Sequence, residues 1–256
     1  MAIATKNLAL GALIALSPLA LSPVAATAAE VSGNVTLASE YRFRGISQSD
    51  TDPAIQGGFD VAFDSGFYAG VWASNVDFGT DADLEMDFYA GFSGAINEAV
   101  SYDLGYIYYD YPGTDGVDFT LNGNEKEDYE ELYASLSFGD ATVGIAYSDD
   151  YWLSSGEFYY LYGDYSFALP EGFGLDVHYG YNSFDVASGD SNAKDAETAF
   201  LSDDTDSYSD YSIALTKTVV GLDLALAWVD TDLDKEEIFD SNWADSAVVF
   251  SISKSL

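Results

Sequence analysis

The chain has 256 residues, with 44 Asp and Glu against 8 Lys and Arg, a formal net charge of −36; 48% of residues are apolar and 16% aromatic. Acidic disordered chains are poor in aromatics, and nucleic-acid binding needs clustered basic residues, so both classes are excluded. The absence of cysteine removes disulfide frameworks, thiolate metal sites and cysteine nucleophiles.

The first element in chain order is a targeting signal. Lys6 gives a short basic start, Leu8 to Leu21 is mostly apolar, and Ala25-Ala26-Thr27-Ala28-Ala29 supplies small residues before the acidic Glu30. This order predicts a bacterial secretory signal peptide over 1–29, cleaved after Ala28 or Ala29. A membrane anchor is the alternative, but it needs about 20 apolar residues, and Pro18 and Pro23 interrupt this run. No cysteine follows to carry a lipid. Cleavage removes Lys6 and leaves 44 acids against 7 bases, a net charge of −37.

From there the hydrophobicity alternates with period two, the signature of strands with two unlike faces. Val31, Val35, Leu37, Tyr41 and Phe43 fall on one face of the first segment, and Thr36, Glu40, Arg42 and Arg44 on the other. Ile55, Phe59, Val61 and Phe63 oppose Gln56, Gly58, Asp60 and Ala62; Leu84, Met86, Phe88 and Phe92 oppose Glu85, Asp87 and Tyr89. Tyr102, Leu104 and Tyr106 oppose Asp103 and Gly105; Leu175, Val177 and Tyr179 oppose Asp176, His178 and Gly180. Val248, Phe250, Ile252 and Leu256 close the series against Ser251, Ser253 and Ser255.

Twelve such segments are predicted, at 31–45, 54–64, 67–76, 83–94, 100–110, 128–138, 141–149, 157–169, 173–184, 207–217, 221–230 and 246–256. Their connectors alternate in length: Ser65-Gly66, Ala95 to Ala99, Gly139-Asp140, Pro170 to Gly172 and Thr218 to Val220 are short, whereas 111–127, 185–206 and 231–245 are long. An even strand number, about ten residues per strand, and short and long connectors at opposite ends describe a transmembrane antiparallel up-and-down β-barrel. Closure follows because an open sheet edge in hydrocarbon leaves backbone groups unsatisfied. On this reading residues 30–256 form one outer-membrane barrel with long acidic external loops. Tyr, Trp and Phe near strand ends are then expected in interfacial girdles. A soluble two-sheet β protein would also alternate; the leader, the connector lengths and the apolar last strand favour the membrane barrel.

Leu37-Ala38-Ser39-Glu40-Tyr41-Arg42-Phe43-Arg44-Gly45-Ile46-Ser47-Gln48, Asp52-Pro53-Ala54-Ile55-Gln56-Gly57-Gly58-Phe59-Asp60 and Gly66-Phe67-Tyr68-Ala69-Gly70-Val71-Trp72-Ala73-Ser74-Asn75-Val76 resemble the TorF-family porins. The similarity is specific over 37–79 and continues to the C-terminus only as strand rhythm. It implies a bacterial outer-membrane barrel with a pore, and no catalytic residues. The chain departs from barrel proteins that end in an aromatic, since it ends Lys254-Ser255-Leu256. That weakens the sequence case for recognition by the outer-membrane assembly machinery.

The polar faces name the candidate lumen residues: Glu40, Asp60, Glu85, Asp87, Asp103, Glu131, Asp164, Asp176, Asp210 and Asp223, against Arg42, Arg44 and the single His178. An acidic, water-filled lumen attracts cations and repels anions. Glu40, Arg42 and Arg44 share one face at spacing two; they fit either a charged constriction or an internal salt-bridge network with Asp60 as a partner. Asp230-Thr231-Asp232-Leu233-Asp234 opens like a calcium loop but has Lys235 where glycine is needed and Ser241 where glutamate is needed. Asp203-Asp204-Thr205-Asp206 is similarly dense. Solvated acidic loops are the simpler account, with no bound metal or cofactor.

His178 beside Asp176 is the sole candidate base for nucleophilic catalysis, and no G-x-S-x-G run accompanies it. The reading is therefore a non-enzymatic, passive, cation-preferring porin for small polar solutes, bathed in outer-membrane lipid and lipopolysaccharide and showing no plug domain. The alternatives are a structural barrel with a charge-filled lumen and a soluble periplasmic ligand-binding barrel.

Overall fold

The computed structural model describes residues 29–114, 127–185, 201, 205–238 and 241–256. The leader (Ala29 excepted), most of the connectors 111–127 and 185–206, and Asp203-Asp204 lie outside these residues. The described chain is a succession of antiparallel strands: β1 (Glu30–Ala38), β2 (Arg42–Phe43), β3 (Ile46–Ser47), β4 (Ala54–Ala62), β5 (Phe67–Asn75), β6 (Leu84–Ala95) and β7 (Val100–Asp110). There follow β8 (Tyr129–Phe138), β9 (Ala141–Ser148), β10 (Glu157–Ala168), β11 (Phe173–Asp185), β12 (Ser207–Val219), β13 (Leu222–Thr231) and β14 (Ala247–Ser255). All but β2 and β3 join in one closed barrel in which β1 pairs with both β4 and β14.

Twelve strands therefore close the wall, with limits within a residue or two of those expected from the alternation, except at the first. The two sides of the closing strand are unequal. β1 meets β4 from Glu30↔Ala62 to Ala38↔Ala54, but meets β14 only from Asn34↔Ser255 to Ala38↔Ser251. A hydrogen bond from Leu256 N to Gly33 O (2.8 Å) and one between the Thr36 and Ser253 hydroxyls (2.8 Å) complete this seam.

The outer wall is apolar: Val31, Ile55, Phe59, Leu132 and Val248 are each 60% exposed or more. The opposite phase of the same strands is buried inside and polar, with Gln56 and Ser74 beside Glu85, Asp87, Asn182 and Ser251. Strict alternation lets one sheet present hydrocarbon-compatible and water-compatible faces at once.

The first predicted segment requires correction. β1 stops at Ala38, and residues 39–53 leave the wall and fold inward at the end carrying the long connectors. There β2 and β3 form a separate hairpin with Phe43 opposite Ile46. Its two-residue turn, Arg44-Gly45, has φ of 47° and 82°, the paired left-handed conformation of a tight hairpin turn. Glycine adopts that conformation freely; arginine is strained there. Consequently Tyr41 and Phe43, expected on the outer face, are 1% and 9% exposed.

The hairpin is enclosed by an aromatic core inside the barrel. Tyr41, Phe43, Phe78, Tyr109, Tyr111, Tyr129, Tyr151, Trp152, Phe158 and Phe184 pack together with Ile46, Leu153 and Ile238. Tyr109 stacks on Tyr129 with centroids 4.3 Å apart, and Tyr151 on Phe158 at 4.1 Å. Many aromatics thus fill the long-connector half of the interior. The girdle expected of aromatics near strand ends is corrected for Tyr109, Tyr111, Tyr129 and Phe158, which are buried inside instead.

Candidate functional site

The lumen is built in three tiers, starting with the hairpin and its fastenings. Arg42 Nη1 donates to the carbonyls of Gly45 (2.9 Å), Trp243 (2.7 Å) and Asp245 (2.9 Å), and its Nε pairs with Glu40 Oε1 at 2.7 Å. One guanidinium thereby closes the hairpin turn and ties it to the β13–β14 connector. The Trp243 carbonyl also accepts from Ser47 N (2.8 Å), and the Trp243 indole donates to Asp50 (2.9 Å). Arg44 reaches the opposite wall, where Nη1 and Nη2 donate to Glu131 Oε1 and Oε2 at 2.7 and 2.8 Å. Such a two-point pair is the strong form of a charged hydrogen bond. Tyr41 donates to Glu85 Oε1 at 2.9 Å.

At the tip, Gly45 is pressed against β12 and β13. A Cβ there would lie 2.3 Å from Thr231 Cγ2 and 2.9 Å from Asp210 Cβ. The hairpin therefore crosses the lumen and contacts both sides.

Below the tip lies a cavity of about 80 Å³ lined by Arg42, Arg44, Asp103, Glu131, Asp164, Asp176, His178 and Asp210, with Tyr133, Tyr160 and Tyr162 among them. His178 is held from two sides: Nδ1 lies 2.6 Å from Asp164 Oδ1, and Nε2 lies 3.0 Å from Asp210 Oδ1 and 2.8 Å from the Tyr160 hydroxyl. Asn182 Nδ2 donates to Asp210 Oδ2 at 2.8 Å. Asp176, beside His178 in sequence, lines the same cavity but bonds to Ser166 (2.6 Å) and Thr216 (3.3 Å).

The third tier is a set of tyrosines lying over glycines of neighbouring strands. Tyr133 covers its cross-strand partner Gly105, Tyr89 covers Gly70, Tyr68 covers Gly91 and Tyr162 covers Gly144. A Cβ on Gly105 would sit 2.2 Å from the Tyr133 ring. The glycines leave room for each ring to lie against the wall, and the rings cover backbone that glycine leaves bare. Their hydroxyls reach the acids: Tyr68 donates to Asp103 Oδ1 and bonds to the Tyr133 hydroxyl, both at 2.5 Å, while Tyr89 donates to Asp60 at 2.5 Å.

The candidate residues thus divide. Arg42, Arg44, Asp103, Glu131, Asp164, Asp176, His178 and Asp210 share one cavity. Glu40 belongs to the Arg42 fastening, Glu85 to the Tyr41 contact, and Asp87 is buried beside it on β6. Asp223 accepts from Thr218 at 2.6 Å, near the short-turn end. Asp60 is bonded to Tyr89 rather than to an arginine, which corrects the salt-bridge partner expected for it.

The sequence reading missed Tyr68, Tyr89, Tyr133, Tyr160, Tyr162 and Gly45. Phase was the available signal for the tyrosines, since Tyr89 alternates with the outward Phe88 and shares a face with Glu85 and Asp87. The calcium-like run does not converge. Asp230 caps Thr231 N, Asp232 accepts from Ser209 N, and Asp234 begins the turn Lys235–Glu237. Among the described residues no three acidic or imidazole groups gather to hold a metal.

The chain is similar in structure to three solved proteins. The chain superposes on the structure titled "KdgM porin" with a TM-score of 0.50 and 8% identity, covering 88% of this chain and 97% of that one. For a structure titled "Unveiling the Mechanism Behind the in-meso Crystallization of Membrane Proteins" the values are 0.51 and 8%, covering 88% and 83%. For the NanC porin they are 0.49 and 12%, covering 88% and 98%. The fold is therefore that of the KdgM porin structure. A search of curated proteins returns no match. The sequence pattern of one family, described as "Bacterial protein of unknown function (Gcw_chp)", matches residues 23–256.

Proposed function

The chain belongs to this family of bacterial proteins of unknown function, and from that premise we propose that it is an outer-membrane, porin-like channel for passive diffusion of small solutes, with a preference for cations. The observation that carries the reading is the lumen: an apolar outer wall encloses a polar interior in which Asp103, Glu131, Asp164, Asp176 and Asp210 outnumber two arginines and one histidine. Like charge within a low-dielectric wall concentrates counter-ions. The resemblance to TorF-family porins over 37–79 supports the same reading, as does the KdgM-like fold. Export would use the leader at 1–29; the outer wall would then meet lipid and lipopolysaccharide after insertion by the assembly machinery. We read no catalytic step here, because Asp164 and Asp210 already engage both nitrogens of the one imidazole.

The structure of KdgM porin with disordered oligogalacturonate concerns a polyanion. The acid-rich lumen of this chain suits the opposite charge. Passage also requires the hairpin to shift, since the cavity of about 80 Å³ beneath it has room for a few waters only. That same filling favours a second reading, a barrel that does not conduct. Planar-bilayer recording with the purified folded barrel decides between them. Discrete channels whose reversal potential in a salt gradient has the sign of cation flux are expected; silence, or anion preference, overturns the proposal.

A further inference from the structure

The two arginines of the chain are Arg42 and Arg44, and both sit on the inward hairpin. The seat that receives Arg44 is made almost wholly by other elements. Glu131 on β8 offers both carboxylate oxygens at 2.7 and 2.8 Å, and Tyr109 on β7 donates to Glu131 Oε2 at 3.2 Å. The rings of Tyr160 and Phe158 on β10 lie 4.4 and 4.7 Å from the guanidinium carbon, and that of Tyr151 lies 6.0 Å away. Phe43 is the hairpin's own contribution, at 4.5 Å. A carboxylate presented edge-on among aromatic faces matches a planar organic cation in shape and charge. It suits a small hydrated alkali ion poorly, because the rings cannot replace its water.

Arg44 enters this seat on a strained turn that is not part of the wall. The walls of the seat are complete without the side chain that fills them. We propose that the Arg44 seat is a binding site for solutes bearing a guanidinium or an equivalent planar organic cation, and that Arg44 is its internal occupant. The proposal rests on the channel reading: it names the class of solute such a channel favours and makes the hairpin its competitor. A solute entering the seat displaces Arg44, and the hairpin then keeps its fastenings at Arg42 and Tyr41 but loses its charged anchor on β8.

The test uses the full folded barrel in detergent, with guanidinium chloride as probe and sodium chloride at equal ionic strength as reference. In Arg44→Gln the seat is vacated, and guanidinium should bind about tenfold more tightly than sodium, read as a change in intrinsic fluorescence and in thermal midpoint. Adding Glu131→Gln to that variant should abolish the difference. Equal responses to the two salts overturn the site. Should Arg44→Gln fail to fold, wild-type protein gives the answer: guanidinium should expose residues 39–53 to protease where sodium does not, and unchanged protection overturns the proposal. Binding is scored apart from current. Guanidinium-specific binding with silent bilayers would sink the channel reading and leave the seat standing; channels without such binding would do the reverse.

Discussion

Gly45 and Thr231 approach so closely that a single methyl on the glycine would lie 2.3 Å from Thr231 Cγ2. The contact fixes how deep the hairpin tip penetrates, because backbone rather than a yielding side chain meets the barrel wall. Gly45→Ala adds both that clash and a side chain at φ 82°, at a cost of about 1–3 kcal/mol. The tip should withdraw. Larger single-channel conductance and faster proteolysis within 39–53 are the expected results; wild-type values for both would show that the tip does not limit the lumen.

The Arg44–Glu131 pair should behave as a buried unit. Glu131→Gln leaves a guanidinium without its counter-charge and should cost about 3–5 kcal/mol, whereas combining it with Arg44→Gln should recover part of that loss. Thermal or urea unfolding of the three variants measures the coupling. Strict additivity would mean that the two side chains act independently despite their contact.

A third expectation concerns the tyrosine shelf. Gly105→Ala forces the Tyr133 ring from its place and should destabilise by about 1–3 kcal/mol. Gly163→Ala is the control, because the nearest atom to its added Cβ is Thr142 O at 3.8 Å. Removing the ring with Tyr133→Ala in the Gly105→Ala background should make the second substitution cheaper than it is alone. Gel shift on heating reports whether each barrel is folded.

Charge selectivity should depend on acids that face the cavity beneath the tip. Asp103→Asn together with Asp176→Asn removes two of them, leaving hydrogen-bonding groups beside Tyr68 and Ser166. Reversal potentials should move toward zero relative to wild type. No movement would place the selectivity elsewhere along the lumen.

Acidification should loosen the turn Lys235–Glu237. The Thr205 hydroxyl (2.6 Å) and the Asp234 N–H (2.8 Å) both donate to Glu237 and hold its carboxyl below the usual carboxylate range. A depressed acid contributes its stabilisation above the unfolded value, about 4.3 for glutamate, and loses it as pH falls through the folded value. Hydrogen-exchange protection of 234–238 should drop over that acidic window in wild type. In Glu237→Gln it should be low already at neutral pH.

Strand positions were legible because a barrel wall enforces period two on every residue that faces lipid or lumen. Leu84 to Phe92 and Phe173 to Tyr181 read unambiguously for that reason. The same rule misled at residues 39–45. A short hairpin folded inside a barrel also alternates, so Tyr41 and Phe43 kept phase with Leu37 after the chain had left the wall. What distinguished them was local: Arg44-Gly45 as a two-residue turn, followed by a second reversal at Asp50 and Thr51, with φ of 47° and 66°. The acids of the lumen could be listed from phase, but their grouping could not. Glu131 meets Arg44 across 87 positions, a pairing set by barrel closure and invisible to spacing. Tyr89 is in phase with the polar face, and phase shows that it points inward but not that its ring lies on Gly70, a cross-strand contact set by the register.

The short seam between β1 and β14 bears on how the barrel is made. Thr36 and Ser253 are 217 positions apart, so joining them closes the longest loop in the chain, whereas every other wall pairing is a hairpin between successive barrel strands. Loop-closure entropy opposes the distant pairing most. Hairpins can therefore zip into a curled sheet before its edges meet, and the five-residue register from Asn34 to Ala38 is the last stitch. Until it is made, β14 is a free edge with serines on one side and Val248 and Phe250 on the other, available to whatever strand reaches it first.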